Sequence, residues 1–142
     1  MPVTAYTRGI EAISSGAINL GTVTVKAMLT TVSYTENKAT HQFRSQVTNE
    51  VAPGAGYTAG GMNVSATVSR DDANNRVEIT LGSAMWTVPL GQTMANVRKA
   101  VYYVSTGTAA TDRLLAVSDF GANTNATNQT LTVAASVLRL QN

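Results

Sequence analysis

Three consecutive segments decide the fold: Val97-Arg98-Lys99-Ala100-Val101-Tyr102-Tyr103-Val104, then Ser105-Thr106-Gly107-Thr108-Ala109-Ala110-Thr111-Asp112, then Arg113-Leu114-Leu115-Ala116-Val117-Ser118-Asp119-Phe120. Two apolar runs rich in β-branched and aromatic residues flank a polar stretch with a glycine. That pattern predicts a β-hairpin with a long loop. Tyr102 and Tyr103 are adjacent, so in a strand they face opposite sides. One of them is then a core residue and the other a candidate interface residue.

Working outward, the same period of two recurs. In Thr22–Leu29, Val23, Val25, Ala27 and Leu29 alternate with Thr22, Thr24, Lys26 and Met28, which predicts a half-buried strand. Met62, Val64, Ala66 and Val68 alternate with Asn63, Ser65, Thr67 and Ser69. Residues 70–75 have turn composition, and Arg76–Leu81 returns with Val77, Ile79 and Leu81 inward, a second hairpin. Ala84–Val88 is a short strand carrying the only tryptophan, Trp86, and Pro89 ends it. Gln129–Leu140 reads as the last strand, with Leu131, Val133, Ala135 and Val137 on one face. Its end, Leu138-Arg139-Leu140, flips that parity, as a bulge or a partner-facing edge does.

In front of the strands, residues 4–15 predict a short helix, with Thr4 as its cap and Tyr6, Ile10 and Ile13 on one face. Residues 31–61 predict a long irregular arm. Pro53-Gly54-Ala55-Gly56 and Gly60-Gly61 interrupt any regular element there. Thr40–Val47 is read as one or two helical turns with Phe43 and Val47 on one face. The whole is a single mainly β domain over 1–142. Its expected form is a β-sandwich or jelly-roll-like barrel of about seven antiparallel strands, with a short N-terminal helix and a long irregular arm.

Composition narrows the function classes. Charged residues make up 13% of the chain, about half the usual share. Ser, Thr, Asn, Gln and Gly supply the polarity, which suits a surface that lies against other protein. Net charge is +2, and the basic residues are scattered rather than gathered on one face as nucleic-acid binders gather them. No nucleic acid is therefore expected as a partner. The absence of cysteine excludes disulfides and thiolate metal sites. The first residues carry no apolar signal-peptide core, and no stretch reaches the roughly 20 apolar residues of a membrane span. A cytoplasmic origin without a membrane partner is the expectation.

Residues with chemical potential are few. His41 is the only histidine, and no serine nucleophile motif accompanies it. Asp71-Asp72-Ala73-Asn74-Asn75 offers oxygen ligands but lacks the alternation and closing glutamate of a calcium loop. Gly54-Ala55-Gly56 lacks the lysine of a phosphate loop. The eight acidic residues single out no catalytic pair. No catalytic residue, cofactor or metal is expected, and the chain reads as a non-enzyme. Tyr34, Phe43, Tyr57 and Tyr102 are the candidate protein-interface residues.

The succession of elements resembles a group of small structural proteins of tailed-bacteriophage virions. The features that carry the resemblance begin with the helix Tyr6–Ile13, the strand Gly21–Leu29 and Tyr34 followed by Thr40-His41-Gln42-Phe43. They continue with Gly56-Tyr57-Thr58-Ala59-Gly60-Gly61, the strand around Trp86, Val101-Tyr102-Tyr103 and Arg113–Gly121. The resemblance implies a virion component made in a host cytoplasm, such as a capsid decoration (cement) protein bound to the major capsid protein as a homo-oligomer. In that setting residues 31–61 would lie on the shell. A head–tail connector or tail protein is the alternative that the resemblance leaves open. A carbohydrate- or receptor-binding β-sandwich is a further alternative from another class, and it requires an exposed aromatic cluster around Trp86.

Overall fold

The computed structural model describes residues 2–141. Along the chain lie β1 (Val3–Ala5), α1 (Thr7–Ser14), β2 (Thr24–Thr30), β3 (Met62–Val64), β4 (Ala66–Asp71), β5 (Arg76–Leu81), β6 (Ala84–Thr87), β7 (Thr93–Ser105), β8 (Leu114–Thr127), β9 (Thr130–Val133) and β10 (Ser136–Gln141). All strand pairs are antiparallel. They form a five-stranded sheet in the order β1-β8-β7-β2-β3, a three-stranded sheet β10-β5-β4 and a two-stranded pair β6-β9. The fold is mainly β and sandwich-like, as the alternation predicts.

The hairpin quoted at the outset is the centre of the molecule. β7 and β8 pair along most of their length and carry register shifts near Val97 and between Tyr102 and Tyr103. Across the sheet one row runs Ala27–Tyr102–Ala116. Tyr102 is flanked by alanine on both neighbouring strands, which leaves room for its ring. This face packs against Ile79, Leu81 and Leu138 of the three-stranded sheet and against Trp86, Leu131 and Val133 of the pair β6-β9. The opposite face carries Met28, Val101, Tyr103, Leu114 and Val117, which form a second core with Tyr6 and Tyr34. The central sheet is thus buried on both sides.

Three local expectations are corrected. The helix does not start at Thr4. Val3, Thr4 and Ala5 instead add a strand to β8, Tyr6 stays extended, and the helix begins at Thr7. The Thr7 N–H is satisfied by the Lys38 carbonyl (2.8 Å), so no capping side chain is needed. The helix buries Gly9 and Ala12, not a stripe of isoleucines, because its backbone sits directly on β8. A Cβ at Gly9 would lie 2.4 Å from the Leu114 carbonyl oxygen.

Two expected strands are each split. Residues 62–69 give β3 and β4, which belong to different sheets and break at Ser65, whose carbonyl accepts the Gly82 N–H. Residues 129–140 give β9 and β10, with the break at Ala134-Ala135 absorbing the change of parity. With β1, these splits raise the count from seven strands to the ten described. Thr40–Val47 keeps only a 3-10 turn over Arg44–Gln46. The Gln46 side-chain oxygen accepts the N–H groups of Gln42 and Phe43 there (2.7 and 3.0 Å), and Phe43 forms an isolated β-bridge with Arg113.

Candidate functional site

An extended polar assembly holds residues 31–61 against the central sheet, with Tyr34 in the second core and Val51 and Tyr57 in the first. The sequence reads this segment as an arm extending to a partner. It is instead folded against its own chain, with Tyr34, Val51 and Tyr57 buried. Four sets of polar contacts hold it.

The first set centres on Lys99, which is 8% exposed on β7. Its ammonium donates to a Glu36 carboxylate oxygen (2.5 Å) and to the Tyr34 carbonyl (2.8 Å). A buried charge is costly unless it is paired and hydrogen-bonded in this way. Beside it the Tyr6 and Tyr34 hydroxyls lie 2.8 Å apart, and Tyr34 lies 3.1 Å from His41 Nδ1. The Asn37 N–H also points at that nitrogen (3.4 Å). An N–H can only donate, so Nδ1 acts as acceptor, Tyr34 donates to it, and Nε2 carries the hydrogen. Burial raises the ionisation range of the Tyr6 phenol far above the usual one, and the Tyr34 hydrogen bond adds to this.

The second set centres on Asp112, which is fully buried at the end of the β7–β8 loop. One carboxylate oxygen accepts the Thr106 N–H (2.6 Å) and hydroxyl (2.8 Å). The other accepts Arg44 Nε (2.7 Å). Burial alone would raise this acid, but the Thr106 N–H, Arg44 and the Thr106 hydroxyl outweigh it and hold it below the ordinary range. Arg44 returns a backbone bond to the Asp112 carbonyl and stacks its guanidinium over Tyr103 at 5.1 Å.

The third and fourth sets close the arm's far end. Glu50 accepts the Tyr57 hydroxyl (2.7 Å) and the Gly60 N–H (2.5 Å), and the same Tyr57 oxygen accepts the Leu29 N–H (3.0 Å). The Tyr103 hydroxyl donates to the Gly60 carbonyl (2.6 Å). Gly61 lies where a Cβ would meet the Ala27 carbonyl oxygen at 1.8 Å, and its φ is +75°. Only glycine allows the backbone to pass there.

The four tyrosine and phenylalanine positions expected at an interface are therefore distributed differently. Tyr34 and Tyr57 fasten the arm, and Tyr102 fills the sandwich core, so all three are withdrawn from the surface. Each ring is large and apolar and finds more area to bury within the chain than outside it. Phe43 alone stays half-exposed, with the Arg113 guanidinium 5.5 Å from its ring. Trp86 is buried beside Tyr57, so the exposed aromatic cluster required by the sugar-binding alternative is not formed around it. Lys99, Glu36, Arg44 and Asp112, which sequence reading passed over, do most of the fastening. Their one sequence signal is a charged residue inside an apolar run, as Lys99 stands before Ala100-Val101.

Chemically, the assembly holds a segment in place. His41 is engaged by the Tyr34 hydroxyl and the Asn37 backbone N–H. Among the described residues no three His, Asp or Glu side chains converge as metal ligands. No helix among the described residues is long and apolar enough to cross a membrane. Comparison with known proteins gives no match to any family model, curated protein or solved structure.

Proposed function

We propose that this protein is a structural component of a phage virion, a capsid decoration (cement) protein. It would bind across seams between major capsid subunits as a homo-oligomer and perform no bond chemistry of its own. The observation that supports this reading is how the charges are used. Seven of the eight carboxylates form ion pairs within the chain, and the eighth, Glu50, takes two hydrogen bonds. The pairs Arg44–Asp112 and Lys99–Glu36 are largely buried and brace the fold, while the exposed pairs offset one another's charge, so the outer surface carries few uncompensated charges. Val32, Met85 and Leu90 are exposed on it. Such a surface desolvates at low cost against another protein. Weak contacts of this kind accumulate when many copies bind one shell.

The test is quantitative mass spectrometry of purified particles. A decoration protein is present at a copy number comparable with the capsid subunits. A copy number of about six or twelve, the symmetry of a ring, transfers the protein to the neck or tail. Absence from particles ends the virion reading.

A further inference from the structure

Among the described residues, no strand pairs with β4 on the side away from β5. Other free edges are short, broken or covered. β1 and β3 have three residues each, and β6 and β9 four. The β7–β8 ribbon beyond β2 is interrupted by register shifts, and β10 lies against β1. β4 runs six residues in unbroken register with β5. It contains no proline or bulge, and its two charged residues, Arg70 and Asp71, stand together at one end, so Ala66–Ser69 lack the devices that ordinarily keep a sheet edge from pairing.

The side chains at this edge reinforce the point. The row Val68–Ile79–Leu138 crosses the three-stranded sheet. Ile79 and Leu138 are buried, but Val68 is 57% exposed. Alongside runs an open groove of about 720 Å³ lined by Ile13, Ile18, Leu20, Ala66 and Val68, with no charged residue on its walls. A free backbone edge beside an uncharged apolar groove fits an extended strand with an uncharged stretch, as Ala66-Thr67-Val68-Ser69 is.

We propose that this strand is β4 of a second copy, paired antiparallel across a two-fold axis to give one six-stranded sheet. Symmetry restricts the register. An axis that joins two identical edges antiparallel stands perpendicular to the sheet and keeps each face on its own side. Opposed residues share a face, so one residue must lie opposite itself. With Val68 at the axis, Val68 meets Val68 on the apolar face and Thr67 meets Ser69 on the polar one. Arg70 falls opposite Ala66, so like charges stay apart, and Arg70 is already paired with Asp72 at 2.6 Å. Axes at Ser69 or Arg70 would set Arg70 against Val68 or against its own copy. The net charge of +2 per chain offers little repulsion.

The absence of cysteine makes the register directly testable. Opposed antiparallel residues lie about 4.5–5.5 Å apart at Cα, within the range of a disulfide. Under mild oxidation the full chain carrying Val68→Cys is expected to cross-link to a covalent dimer. Thr67→Cys and Ser69→Cys each form no covalent dimer alone and cross-link when mixed. By light scattering the unmodified protein is a dimer, and Val68→Lys is a monomer with unchanged circular dichroism. A monomeric unmodified protein at about 100 µM, where a micromolar dimer is almost fully formed, overturns the proposal. So does cross-linking at Thr67→Cys as fast as at Val68→Cys, or a Val68→Lys variant that remains dimeric. All of these use isolated protein, so a monomer here removes the self-association part of the proposed function but not the presence of the chain in particles, and absence from particles leaves the dimer standing.

Discussion

Replacing Asp112 with alanine is expected to loosen the arm more than any other single change to a charged residue. The substitution removes three charge-assisted hydrogen bonds, two from Thr106 and one from Arg44. Each such bond contributes about 1.5–3 kcal/mol, and simple addition would give at least about 4.5 kcal/mol. Two features reduce that figure. Arg44 keeps 23% of its side-chain surface exposed and recovers some hydration. Water can also enter the small space left by the carboxylate. The expected loss is about 3–4 kcal/mol, a large fraction of the 5–15 kcal/mol typical of a domain.

Urea unfolding followed by tryptophan fluorescence measures this loss, since Trp86 is buried and unique. The pH dependence supplies a second readout. Asp112 is held below its ordinary range. Its contribution is therefore complete above the unfolded carboxyl value of about 3.9 and is lost as pH falls through the lower folded value. The difference in stability between the parent and Asp112→Ala should be full near pH 7 and shrink well below pH 4. A loss under 1 kcal/mol at neutral pH, or a difference that does not shrink as the pH falls below about 4, refutes the assignment of Asp112 as the arm's main fastening.

Lys99→Met alone strands Glu36 beside the core and is expected to cost about 2–4 kcal/mol, whereas Lys99→Met with Glu36→Leu recovers most of it; denaturant titration of the three variants reads the recovery. The Tyr102 hydroxyl is buried without a partner, so Tyr102→Phe should be neutral or stabilising by up to about 1 kcal/mol in thermal unfolding. Gly61→Ala forces a Cβ into the Ala27 carbonyl at a positive φ, and should cost at least about 2 kcal/mol or abolish soluble expression. Gly9→Ala presses α1 off the Leu114 backbone; hydrogen exchange should show faster opening of α1 and the adjoining end of β8.

The strands themselves were legible because alternation is local. Val25, Ala27 and Leu29 take one face by geometry alone, whatever the rest of the chain does. The turn at residues 70–75 was equally legible, since Asn75 accepts a left-handed φ of 52° and Asp71 bonds the Asn74 N–H. The breaks at Ser65 and at Ala134-Ala135 were not. Ser65 differs in nothing from an ordinary strand residue, and the parity change at Leu138-Arg139-Leu140 signals an irregularity but not that one segment is divided between two sheets. The start of the helix was misplaced for a related reason. Thr4 is a good cap, but the free edge of β8 offered Val3–Ala5 three paired residues instead.

The order of apolar and polar residues by itself determined a mainly β chain, its central hairpin, and the irregularity of residues 31–61, because each rests on neighbours within a few positions. Whether that irregular segment reaches outward or lies down was decided only in three dimensions. Glu36 meets Lys99 across 63 positions, and Arg44 meets Asp112 across 68. No local pattern encodes such a meeting. It follows from a sheet that presents two apolar faces, one of which the other sheets leave bare, and from the free energy gained when the chain covers that face with its own tyrosines.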